Sequence, residues 1–208
     1  MTELMIAVPR GTLFAGSLDL LDSLGLDTEA VRSNERKLLF LEVGIVTMRP
    51  SDVPTYVEAG AADIGITGKD VLMEQDEREV YELADLGFGH CRMVFATAAG
   101  EDRAAETLRR LGVMRVATKY PRVAASHFRR TGRQAEIVEV KGSVELAPLT
   151  GLVEGIVDLT ATGTTLRENG LTIREEIAVC TARLIANPVA HRLKANPIDA
   201  LLERIDAL

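Results

Sequence analysis

An α/β fold is predicted by three features of the sequence. Short apolar runs alternate with segments of helical spacing along the whole chain. Aromatic residues are 4% of the 208, with no tryptophan, so the core must be built from Val, Ile, Leu and Ala. The alternation also restarts near residue 90. Parallel strands covered on both faces read as continuous aliphatic runs, and strands alternating with helices generate such sheets. The restart predicts two lobes of similar design, residues 1–89 plus 179–208 and residues 90–178, with the final helix returning to the first lobe. A cleft between lobes is the default place for a ligand.

The elements follow in order. LMIAVP, residues 4 to 9, is a buried strand closed by proline. Leu13, Leu18, Leu21 and Leu24 then fall near helical spacing, with Thr12 as a cap and Gly25 as a stop. KLLFLEV and GIVTMR, 37 to 49, read as a strand pair or meander. Ser51-Asp52 opens a helix through VPTYVEAGAAD with Pro54 in its first turn. ADIGITG, 62 to 68, is the next buried strand, and Lys69-Asp70 begins a short helix. An apolar stretch with two glycines, Leu83 to Ala96, leads into the second lobe. There RVATKYP is a strand and loop, VAASHFRRTG a helix ending at Gly132, and AEIVEVKG a strand. SVELAPLTGLVEG reads as a helix capped by Ser143 with Glu145 in its first turn. GIVDLTA is a strand and REEIAVCTARLIANP is strand-rich. The tail carries Ile198, Leu201, Leu202, Ile205 and Leu208 at helical spacing.

Composition excludes several functions. A net charge of -7 argues against nucleic acid as a partner, which requires a basic surface. An acidic chain binds anions only by gathering cations and backbone N–H groups in one place. Cys91 and Cys180 lie in apolar runs without metal-ligand spacing and read as buried thiols. His90, His127 and His191 stand apart with no partner pattern. No signal peptide opens the chain, and no window reaches the roughly 18 apolar residues of a membrane span. A soluble, cytoplasmic protein is expected.

One loop carries chemistry. In DLTATGTTLRENG, 158 to 170, an apolar run reaches Asp158 and breaks into Thr162-Gly163-Thr164-Thr165. Gly163 lets the backbone approach an anion, the threonines add hydroxyls, and successive N–H groups in such a turn form an anion-binding concavity. Asp158 suits ribose hydroxyls or orients the loop. The spacing is neither GxxxxGK[ST] nor GxGxxG. An ordinary strand-to-helix turn satisfies the same residues, so the loop alone names no ligand.

Longer motifs do. PRG after the first strand, RPSDVPTYVEAGAADIGITGKDVL, ATKYP, KGSVELAPLTGL and IVDLTATGTTLRENGL together resemble the ATP phosphoribosyltransferase family, which opens histidine biosynthesis. The resemblance covers nearly the whole chain in the expected order. It implies a two-lobe architecture like that of type II periplasmic binding proteins, with the active site in the inter-lobe cleft. It implies a pentosyltransferase that moves the 5-phosphoribosyl group of phosphoribosyl pyrophosphate to N1 of ATP, releasing pyrophosphate. Mg²⁺ would be carried by the pyrophosphate rather than by a protein cage.

The resemblance also assigns residues. The 5-phosphate rests on Thr162, Gly163, Thr164 and Thr165, with Asp158 near the ribose. Arg10 and Arg36 act as catalytic cations on pyrophosphate, assisted by Gly11 and Lys37, or Arg36 is a solvated arginine in a charged stretch. Lys69 faces the cleft or caps a surface turn. Glu145 holds ribose or adenine, or merely favours its helix N-terminus. Lys119 and Tyr120 form part of the ATP pocket or an ordinary strand-end loop. The family commonly has Lys-Gly-Arg where this chain has Arg10-Gly11-Thr12, so one pyrophosphate contact shifts to Arg10 or Arg49. The length matches the short form of the family. That form implies a homodimer and a hetero-octamer with a regulatory subunit similar to histidyl-tRNA synthetase. A protein of the same architecture that only binds a small anion is the competing reading.

Overall fold

The computed structural model describes residues 4–34, 36–75 and 77–208. The chain separates into two compact units: one holds the residues up to Gly89 together with Thr181–Leu208, the other His90–Cys180. The first unit begins with β1 (Ile6–Pro9), α1 (Phe14–Ser23), α2 (Glu29–Arg32), β2 (Leu39–Phe40), β3 (Ile45–Met48), α3 (Val53–Glu58), β4 (Ile64–Gly68), α4 (Lys69–Glu74) and β5 (Tyr81–Asp85). The second holds β6 (Cys91–Ala98), α5 (Arg103–Leu111), β7 (Met114–Thr118), α6 (Pro121–Arg130), β8 (Ala135–Glu139), α7 (Leu146–Leu149), β9 (Gly155–Thr160), α8 (Thr164–Glu168) and β10 (Leu171–Cys180). The chain returns to the first unit through β11 (Ala182–Ala186), α9 (Pro188–Leu193) and α10 (Ala195–Asp206).

The first sheet has the order β2-β3-β1-β4-β11-β5. β1 is parallel to both β3 and β4, with Ile6 opposite Ile45 and Ile64, so three strands end side by side. Alternation along β1 splits its core in two. Ile6 and Val8 join Leu18, Leu21, Phe40, Ile66 and Leu184, while Ala7 faces Val53, Val57 and Ile185. Ile198 and Leu201 of α10 enter the first of these clusters, which makes the C-terminal helix part of the first unit. Gly65 lets α3 lie against β4: a Cβ there would stand 2.6 Å from Val53 Cγ1 and 2.8 Å from Val57 Cγ2. Buried Asn187 joins α3 to α9. Its Oδ1 accepts from the N–H groups of Val189 and Ala190, and its Nδ2 donates to the carbonyls of Val57 and Glu58.

The second sheet has the order β10-β6-β9-β7-β8. β7 runs parallel to β8 and β9, while β6 is antiparallel to β9 and β10. Val94, Ala96, Ala117, Ile156, Leu166 and Leu171 share one core cluster. Phe95 meets Phe128 of α6 edge-on with ring centroids 5.3 Å apart. His127 is not without a partner: its Nε2 is 3.0 Å from Glu175 Oε2 on β10, and Arg133 donates to both oxygens of the same carboxylate. Glu175 is 48 residues from His127, a separation that no local pattern reports.

Several local readings change. α1 starts at Phe14, and the residue at its cap position is Leu13, not Thr12. The helix expected from Ser143 shrinks to α7, with Glu145 at the cap position and no side-chain cap. Pro148 removes a donor inside the segment and Gly151 follows it at φ +74°, so the helix cannot extend. α5 adds a helix where none was expected; Asp102 caps it by accepting from the Ala105 N–H at 3.1 Å, and Gly112 closes it at φ +76°. β10 continues to Cys180, so the second crossing between units follows residue 180 rather than 178.

Candidate active site

In the second unit β7 ends at Thr118, opposite Val157 of the parallel strand β9, which runs on to Thr160. Ligands of α/β sheets gather at such carboxyl ends. Asp158, near the end of β9, is buried. Burial raises the pKa of its carboxyl above the ordinary value; the Leu159 N–H and the charge of Lys119 oppose that shift, and Glu145 adds to it. Asp158, Lys119 and Glu145 therefore share one electrostatic neighbourhood, although they are separated in sequence. Asp158 Oδ1 accepts from the Leu159 N–H at 2.8 Å.

Beyond Thr160 the chain turns through Gly163 at φ +75° into α8. A Cβ at Gly163 would meet nothing closer than 3.6 Å, so the left-handed backbone, not crowding, calls for glycine. The Gly163 N–H donates to Thr160 Oγ1 at 2.8 Å, which fixes the turn and engages one of the donors expected to line an anion socket. Thr162 and Thr164 present hydroxyls 3.0 Å apart. Thr165 is exposed, and its carbonyl accepts from Asn169 Nδ2 at 2.9 Å.

Arg167 completes the loop, and the sequence reading missed it. Its Nη1 donates to the Thr162 carbonyl at 3.2 Å and its Nη2 to Thr164 Oγ1 at 3.0 Å. The available signal was spacing: a residue three positions after Thr164 shares its face of a helix.

The first unit presents its own cations where β1, β3 and β4 end. Arg10 follows β1; its Nε donates to Thr47 Oγ1 at 2.9 Å, its Nη2 to the Lys37 carbonyl at 2.8 Å, and its guanidinium lies 5.5 Å from the Phe14 ring centroid. Gly11 adopts φ +85°, again with open space around it. Lys37 Nζ pairs with Glu42 Oε1 at 2.9 Å and lies 4.9 Å from the Phe40 centroid. Arg36 is exposed, and its N–H donates to Asn34 Oδ1 at 3.2 Å.

Arg10 and Lys37 are thus brought into contact, with Arg36 beside them in the chain. Lys69 begins α4 at the end of β4, where its Nζ pairs with Glu82 Oε2 at 2.6 Å. That carboxylate also faces Arg183, with Nε 2.8 Å from Glu82 Oε1. Lys69 is accordingly half of an ion pair rather than a turn cap.

The sequence pattern of the family described as ATP phosphoribosyltransferase matches residues 49–207. The chain belongs to the ATP phosphoribosyltransferase family. It is 53% identical over 210 residues to an ATP phosphoribosyltransferase of Rubrobacter xylanophilus, covering 99% of this chain and 96% of that protein. An ATP phosphoribosyltransferase of Bacillus licheniformis is 46% identical over 210 residues, covering 99% and 95%. Among solved structures, the ATP phosphoribosyl transferase (HisG:HisZ) complex of Thermotoga maritima aligns with TM-score 0.82 at 35% identity, over 98% of this chain and 97% of that one. The periplasmic aliphatic sulphonate binding protein of Escherichia coli aligns with TM-score 0.62 over 97% of this chain and 70% of that one. At 13% identity this second likeness shows the fold alone: a type II periplasmic-binding-protein-like architecture, here in an ATP phosphoribosyltransferase family member.

Proposed function

We propose that this chain carries out its family's reaction with the residues at the two sets of strand ends described above. The 5-phosphoribosyl group of phosphoribosyl pyrophosphate passes to N1 of ATP and pyrophosphate leaves, the first step of histidine biosynthesis. The observation that carries the reading is the Thr160–Arg167 turn. It combines a left-handed glycine, clustered hydroxyls and a guanidinium bonded to one of them, and it follows a strand whose end carries the buried carboxylate of Asp158. In this proposal the 5-phosphate lies on Thr162, Gly163, Thr164 and Thr165, and Arg167 supplies positive charge to the same loop. Asp158 accepts from ribose hydroxyls, and Glu145 and Lys119 set the charge around it.

Displacement at the anomeric carbon develops positive charge on the sugar and negative charge on pyrophosphate. The protein aligns the reactants and stabilises the leaving group. Alignment alone supplies roughly 7–11 kcal/mol in favourable cases, so no nucleophilic side chain is needed. Arg10 meets the pyrophosphate already oriented by Thr47 and the Lys37 carbonyl. Lys37 and Arg36 add charge; the Lys37–Glu42 pair is exposed and screened by solvent, so Lys37 changes partner at small cost. Lys69 serves the same cluster by leaving Glu82, and Arg10 or Arg49 covers for the cation missing at Thr12. Magnesium arrives as part of the phosphoribosyl pyrophosphate substrate.

Likeness to a HisG:HisZ complex supports a HisZ-type partner; in this proposal that partner resembles histidyl-tRNA synthetase and builds a hetero-octamer with homodimers of this chain. Among the described residues no helix is long and apolar enough to cross a membrane. We place the enzyme in the cytoplasm, with its nucleotide substrates. The deciding experiment follows pyrophosphate release with ATP, phosphoribosyl pyrophosphate and Mg²⁺, with and without the partner. Release that requires both substrates is expected. No turnover in either arm, with phosphoribosyl pyrophosphate still bound, would leave a binding protein in place of the enzyme.

A further inference from the structure

Cys91 and Cys180 are 89 positions apart in sequence, yet the antiparallel register of β6 and β10 places them directly opposite each other. They form the terminal rung of that ladder: Cys91 opens β6 and Cys180 closes β10. The chain passes between the two units at only two places, 89/90 and 180/181, and this rung stands next to both. Both side chains are reduced thiols; Cys91 is half-buried and Cys180 buried. From the adjacent rung Arg92 pairs with Glu176, which lies opposite Val94, with Nη1 3.2 Å from Oε2.

We propose that Cys91 and Cys180 are a redox modification site, forming a reversible cross-strand disulfide that ties the two chain crossings together. Residues opposite each other in an antiparallel ladder have Cα atoms about 4.5 or 5.5 Å apart, and both values lie inside the roughly 4.4–6.8 Å window for a disulfide. The oxidant is a small-molecule disulfide of the glutathione class. Cys91, the more accessible sulfur, attacks as thiolate: a bond forms from Cys91 Sγ to one sulfur of the oxidant, its S–S bond breaks, and one thiolate leaves. Cys180 then attacks Cys91 Sγ as thiolate, forming the internal disulfide and expelling the second thiol. Both cysteines are oxidised, the oxidant is reduced to two thiols, and the two cysteine protons end on them. A buried partner beside an accessible thiol is the arrangement of a resolving cysteine. In a reducing compartment such a bond is transient and responsive rather than structural.

The test treats the native chain with glutathione disulfide, quenches with an alkylating reagent, and reads the intact mass and peptide map. The expected product has lost two hydrogens, links the Cys91 and Cys180 peptides, and reverts with dithiothreitol. Closing a loop of about 90 residues should also raise the unfolding midpoint of the oxidised form. Cys180→Ser should stop at a mixed disulfide on Cys91. Intact protein whose thiols both survive, or both end as separate glutathione adducts in the wild type, overturns the proposal. None of these readouts requires turnover, so the outcome is independent of the transferase assignment.

Discussion

Asp158 and Gly163 are held in states that folding alone does not favour. Burial raises the Asp158 pKa above 3.8. The sign follows from linkage: an acid whose folded pKa exceeds its unfolded value opposes folding increasingly as pH rises through that interval, and the penalty is constant above it. Asp158→Asn keeps an oxygen for the Leu159 N–H and removes the charge. The variant should be more thermostable than wild type at neutral pH, and its advantage should vanish as pH falls below about 3.8, the unfolded value. Its pyrophosphate release should collapse. Loss of stability at neutral pH would show that the ionised carboxylate is well solvated or paired. Gly163→Ala tests the loop differently: a left-handed alanine costs roughly 1–2 kcal/mol, while the Cβ itself meets no obstacle. The KM for phosphoribosyl pyrophosphate should rise by more than the KM for ATP. An equal rise in both would detach the loop from the 5-phosphate. The hydroxyls of this loop were legible in the sequence because they are contiguous. The Asp158–Lys119–Glu145 neighbourhood was not, since strand order alone joins it.

At the scale of elements, the contact between α3 and β4 rests on one glycine. Gly65→Ala would force a methyl to within 2.6 Å of Val53 Cγ1 and 2.8 Å of Val57 Cγ2, both on fully buried side chains. Overpacking of this kind costs about 1–3 kcal/mol, and the unfolding midpoint should fall accordingly. A midpoint unchanged from wild type would mean that α3 lifts freely, contrary to a packed face. The strand-and-helix alternation was readable here because Ile64 to Gly68 is a continuous buried run. Other elements were less legible for identifiable reasons. α7 carried a capping pattern at Ser143 but also Pro148, and the proline prevailed. α5 was missed although Asp102 and Gly112 bracket it, because its charged sequence exposes little of the apolar spacing that the reading followed. The Cys91–Cys180 rung belongs to the same class: each cysteine is visible, but a register is a property of two strands.

At the scale of the molecule, the first unit is discontinuous, and the part added last closes its core. A fold shared with a sulphonate-binding protein does not determine chemistry, which lies in the loops at the strand ends. Those ends are positioned only if the sheet beneath them is intact. In the first unit, Ile198 is 0% exposed and Leu201 9%, and both pack with Ile6, Leu18, Leu21 and Phe40. Each fully buried aliphatic side chain contributes about 1.5–3 kcal/mol, so ending the chain after Lys194 should remove at least about 3 kcal/mol from the first unit. Among the described residues, the cluster of Val94, Ala96, Ala117 and Ile156 in the second unit contains no residue of α10. Hydrogen exchange resolved by peptide should therefore show β1, β3 and β4 losing protection in the truncated chain, while β6, β7 and β9 retain theirs. Pyrophosphate release should be lost as well, because Arg10 and Lys69 directly follow β1 and β4, strands that loosen, and Lys37 is held to Arg10 through its carbonyl. Equal loss of protection in both units would mean that they fold as one cooperative body, and the helix would then act on the whole chain rather than on the unit it completes.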